Sequence, residues 1–76
     1  MEKFTFIISA GESIEIFQVD AENEDFAFSN FLSTKSHVFE WDDCFVRIRG
    51  CVNVWSTTGV RLEDELGCSV FFIKTV

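Results

Sequence analysis

The sequence predicts an α+β fold: an antiparallel sheet of four to five strands with one α-helix packed on one face, in the order ββαβββ. Three observations predict it. Apolar residues alternate with a period of two over residues 4–9 and 13–19. They shift to helical spacing at Ala27, Phe28, Phe31 and Leu32, and alternation returns from Cys44 onward. No linker, repeat or low-complexity stretch interrupts the 76 residues and Pro is absent, so residues 1–76 read as a single domain.

The opening Phe4-Thr5-Phe6-Ile7-Ile8-Ser9 reads as a strand with Phe4, Phe6 and Ile8 on one face. Ala10-Gly11 supplies a tight turn, Gly giving the backbone freedom. The return strand, Ser13 to Val19, sets Ile14 and Ile16 on one face and Phe17 and Val19 on the other. Either pair could meet a core, so the face covered by the helix stays open at this point.

Asn23 is the expected N-cap of the helix. Glu24 and Asp25 sit where the helix dipole favours negative charge, and Lys35 near the end where it favours a cation. Phe26 falls off the apolar stripe, at about 100° per residue, and is either a staple at the helix start or an exposed contact.

Val38, Phe39 and Trp41 carry the chain back to the sheet. In the strand expected over Cys44 to Arg49, Cys44, Val46 and Ile48 face one way and Phe45, Arg47 and Arg49 the other. Gly50 breaks it. Cys51 to Ser56 reads as a further strand, Thr57-Thr58-Gly59 as a turn, Val60 to Leu62 as a short strand and Glu63-Asp64-Glu65 as a solvated loop. The closing strand, Cys68 to Val76, is apolar on both faces, which places it centrally or against a partner. With a single helix to cover the sheet, a second face carrying Phe17, Phe45, Arg47 and Arg49 is expected to lie open.

The chemistry is sparse. His37 is the single histidine, and Cys44, Cys51 and Cys68 lack zinc spacing, so neither a metal site nor a cofactor is expected. The paired carboxylates Asp42 and Asp43 fit a polar turn better than an acid–base couple, and no phosphate-binding glycine motif occurs. The expectation is a binding protein, not an enzyme. An odd number of cysteines reads as reduced thiols, and the start lacks a basic leader and cleavage site, so a cytoplasmic location is expected. No apolar run approaches the roughly 20 residues that span a bilayer.

Charge is uneven within a net −7: residues 1–43 hold ten acids against Lys3 and Lys35, and the remainder three acids against Arg47, Arg49, Arg61 and Lys74. Phosphate repulsion disfavours direct binding to nucleic acid or to an anionic membrane, whereas a basic protein partner is compatible. Two sets of residues are candidates for contacting it. The acidic run Glu12, Glu15, Asp20, Glu22, Glu24 and Asp25 could occupy a groove built for a phosphate backbone. Phe26, Arg47, Arg49 and Trp55 belong to the residue types that dominate interfaces.

In its hairpin, its Val19-Asp20-Ala21-Glu22-Asn23-Glu24-Asp25 entry to a single helix, and its closing strands, the chain resembles small phage-encoded anti-CRISPR inhibitors. The resemblance spans the whole architecture and rests on no diagnostic motif. It implies a stoichiometric inhibitor, in the cytoplasm of a bacterial host, that docks on a CRISPR effector complex and blocks target DNA. Two rivals stand beside it: a structural or assembly subunit that self-associates through the open sheet face, and a small enzyme using one of the three thiols as nucleophile.

Overall fold

The computed structural model describes residues 1–75, so Val76 of the expected closing strand lies outside the described residues. The chain forms β1 (Glu2–Ala10), β2 (Ser13–Ala21), α1 (Glu24–Lys35), β3 (Phe39–Trp41), β4 (Val46–Arg47), β5 (Val54–Arg61) and β6 (Gly67–Lys74). The sheet is antiparallel and curled, in the order β2-β1-β6-β5-β3, with β4 pairing β5 beyond the end of β3.

The opening hairpin follows from its alternation. Ala10 pairs Ser13 across a two-residue turn, and Gly11 takes φ 62°, the positive value that a type II′ turn needs at its first central position. Phe4, Phe6 and Ile8 are buried as expected. The register Phe6↔Phe17 and Phe4↔Val19 puts Phe17 and Val19 on that same face, against the core, and leaves Ile14 and Ile16 outside. The helix therefore covers the Phe17 side.

The helix begins where its cap requires. Asn23 Oδ1 accepts a bond from Phe26 N at 3.0 Å, and Ala27, Phe28 and Phe31 are buried. Phe31 stacks on Phe6 at 4.5 Å, Phe28 on Phe72 at 5.8 Å, and Phe6 on Phe72 at 4.6 Å. Such rings bury about 150–250 Å² each, which is how so short a chain acquires a core.

The chain differs from expectation in three places. Thr57-Thr58-Gly59 is not a turn but the middle of β5, which runs unbroken from Val54 to Arg61, while Cys51 to Asn53 lie before it. Gly59 is in the strand because the Trp41 ring lies against it: a Cβ there would come 2.3 Å from Trp41 Cε3. The strand expected over Cys44 to Arg49 shrinks to Val46–Arg47. The chain between β3 and β4 bows away from the ladder, and Thr57 Oγ1 bonds the Cys44 carbonyl at 2.7 Å in place of a backbone partner. Finally, Phe17 and Phe45 are not on an open face. Both pack against the core, Phe45 at 4.8 Å from Phe28 and 5.2 Å from Phe72.

The sheet does have an uncovered face, built from other residues. Its register aligns Ile16, Ile7, Phe71, Ser56 and Val46 in one row across five strands. Ile14, Ile16 and Val46 are 71%, 67% and 63% exposed. Among the described residues no helix is long and apolar enough to cross a membrane.

Candidate functional site

The acidic run does not form one patch. Glu15 pairs with Ile8 and so points to the helix side, whereas Asp20 pairs with Lys3 and points to the outer face. Glu12 sits in the hairpin turn, eight residues from Asp20, or about 27 Å at about 3.4 Å a residue. Two of the carboxylates are already partnered: Glu15 with Lys35, and Asp20 with Lys3 at 3.4 Å.

What does come together is the far end of the hairpin and the start of the helix. Asp20, Glu22, Glu24, Asp25 and Phe26 fall within seven consecutive residues where β2 hands over to α1. A shallow groove of about 430 Å³ opens there, lined by Met1, Asp20, Ala21 and Glu22 on one side and Phe26, Ser29, Asn30 and Ser33 on the other. Phe26 is 58% exposed, so it is a surface ring and not a staple. An apolar ring beside carboxylates can supply both a desolvated anchor and charge attraction, although Asp20 already shares its charge with Lys3.

The remaining candidates separate from this end. Trp55 is buried in the core, 5.3 Å from Phe72 and 6.0 Å from Phe4, and is unavailable as an anchor. Arg47 lies on β4, four strands from β2, or about 19 Å at about 4.8 Å a step. Arg49 lies past the end of that strand, before Gly50 at φ 84°, so the two arginines do not share a strand face. Both are exposed, and among the described residues neither pairs with an acid.

The sequence did not single out Ser29, Asn30 and Ser33, which form a groove wall with Phe26. Their signal was present: positions 26, 30 and 33 follow the helical i, i+4, i+7 spacing on the side away from Ala27 and Phe31.

No family model, curated protein or solved structure matches this chain. Among the described residues no three His, Cys, Asp or Glu side chains gather as a metal site. Cys44 and Cys51 are exposed thiols, while Cys68 is buried and its Sγ donates to the Leu66 carbonyl at 3.3 Å. In the surface ion pair Arg61–Asp64 the carboxyl is held below its usual range, chiefly by the hydrogen bond from the guanidinium.

Proposed function

We propose that this chain is a non-catalytic, stoichiometric inhibitor of the anti-CRISPR kind, working in a bacterial cytoplasm. It docks its acidic helix end on a basic, nucleic-acid-handling effector complex and denies that surface to target DNA. The observation that supports the reading is the exposed Phe26 ring facing Asp20 and Glu22 across one groove, with Glu24 and Asp25 beside it at the helix start. The carboxylates compete for side chains that bind phosphate, and the ring supplies contact that salt does not screen.

The test is capture of a purified CRISPR effector complex by the tagged chain, washed at low and then at high salt. The triple variant Glu22→Lys, Glu24→Lys, Asp25→Lys should lose capture at low salt, and Phe26→Ala should weaken it at every salt concentration. Undiminished capture by the triple variant removes the acidic surface from the mechanism.

One observation favours a second reading, a structural or assembly protein that self-associates through its open sheet face. The run Ile16, Ile7, Phe71 is apolar and uncovered, with Val46 beyond Ser56 in the same row, a composition typical of interaction surfaces. Phe71→Glu should then abolish an association that is insensitive to salt.

A further inference from the structure

We infer that two copies of this chain join edge to edge through β2, giving one sheet continuous across both. This goes beyond either functional reading, since it concerns the backbone edge and needs no effector.

The two edges of the sheet are built differently. The β3–β4 edge is blunted: its ladder is interrupted between Trp41 and Val46, and it carries Glu40, Asp42, Asp43 and Arg47. Short, interrupted, charged edges are how sheets avoid pairing with other chains. The β2 edge is neither short nor interrupted, and each of its two carboxylates is paired with a lysine. It runs nine residues in unbroken register and contains neither Pro nor a bulge.

Its free hydrogen-bonding groups follow from the turn. In a two-residue hairpin closed by Ala10 and Ser13, residues 13, 15, 17, 19 and 21 exchange bonds with β1. The Lys3 carbonyl, which accepts from Thr75 N at 2.8 Å on the β6 side, obeys the same alternation. Ile14, Ile16, Gln18 and Asp20 therefore aim their N–H and C=O groups at the open edge.

Charge identifies the occupant. Although the chain carries −7, both carboxylates of β2 are neutralised, Glu15 by Lys35 and Asp20 by Lys3. Within the strand itself, a second copy therefore meets no carboxylate that lacks a lysine partner. The antiparallel register centred on Phe17 uses all nine residues. It sets Ile14 against Asp20 of the second copy, Ile16 against Gln18, Glu15 against Val19, and the two Phe17 rings together at the two-fold axis. No like charges then face each other within the strands. Sliding by one pairing step in either direction would shorten the ladder. Just beyond the strands Glu12 comes level with Glu22 of the second copy, so salt should tighten this dimer. The two acidic helix starts end up at opposite ends of the joined strands, about 27 Å apart.

The test is sedimentation of the pure chain over a concentration series, together with amide hydrogen exchange of the dilute and the concentrated protein. The expected result is a dimer, at least as tight at high salt, in which the Ile14, Ile16, Gln18 and Asp20 amides gain protection as concentration rises. Gln18→Pro removes an outward N–H and breaks no backbone bond to β1, at the cost of the Gln18 Nε2 bond to Thr5 Oγ1, and should raise the dimer dissociation constant at least tenfold. Ile16→Lys should do the same should the proline variant fail to fold, whereas Phe71→Glu, on the face, should leave the dimer intact. A monomer at every concentration overturns the proposal. So does a dimer lost with Phe71→Glu, one that dissociates as salt rises, or edge amides protected only on adding an effector complex. Effector capture is not read in this experiment, so its failure leaves the acidic-end reading standing.

Discussion

The rings of Phe6 and Phe31 lie 4.5 Å apart and within 5° of parallel, joining the middle of β1 to the middle of α1. Both side chains are fully buried, and Phe72 stacks on Phe6 at 4.6 Å, so the Phe6 ring links helix and central strands.

Phe6→Ala should therefore cost about 3–5 kcal/mol, a loss comparable to the whole stability of a small domain. Urea denaturation should show a largely unfolded variant. Phe6→Leu, which keeps most of the volume, should retain a cooperative transition at a lower midpoint.

Gly59 and Gly67 should respond oppositely to alanine. At Gly59 the new Cβ meets Trp41 Cε3 at 2.3 Å and the Glu40 carbonyl at 2.7 Å, whereas at Gly67 it meets open space. Gly59→Ala should lose about 1–3 kcal/mol through overpacking and alter Trp41 fluorescence. Gly67→Ala should gain about 0.4–1 kcal/mol by restricting the unfolded chain.

Replacing the helix cap isolates a local term. Asn23→Ala leaves the Phe26 N–H without its acceptor and should cost about 1 kcal/mol in thermal or urea unfolding. Asn23→Asp should restore that loss.

The Arg61–Asp64 clasp makes a small part of the stability depend on pH. The Asp64 carboxyl is held low by the Arg61 guanidinium first and by the Leu66 N–H second. Its folded value lies below its unfolded one, so its contribution is complete above the unfolded value and is lost as pH falls through the folded one. Wild type should exceed Asp64→Asn in stability at neutral pH, and the two should converge in acid. Both groups lie at the surface, so added salt should narrow the gap.

The hairpin and the helix were legible in the sequence because each announces its own period and its own boundary: Gly11 at the turn, Asn23 at the cap. The second half was misread where tertiary contacts overrode local signals. Thr57-Thr58-Gly59 has turn composition, yet Gly59 is a strand residue whose missing side chain makes room for Trp41. The alternation over Cys44 to Arg49 suggested a full strand. Val46 and Phe45 do take opposite faces, but the Phe45 side, expected to lie open, meets the core because Phe28 and Phe72, two rings distant in sequence, receive it.

Of the candidate site, the acidic residues between Asp20 and Asp25 with Phe26 stay together because they are adjacent in the chain. The dispersal of Glu15 and Asp20 to opposite faces was in principle readable, since an odd separation along a strand reverses the face. The burial of Trp55 was not. It depends on the pairing Trp55↔Phe72, which no local pattern encodes.

The placement of β1 between β2 and β6 has a consequence for how the protein is made. Strand β1 can pair with β2 as soon as the hairpin leaves the ribosome, but Ile7 must wait for Phe71, and Phe6 for Phe72, near the other end of the chain. Until then the nascent hairpin and helix expose one long unsatisfied side of β1 and half of a ring stack. Long-range closure of this kind slows folding, and it makes the interval before β6 emerges a period of exposure to chaperones and proteases.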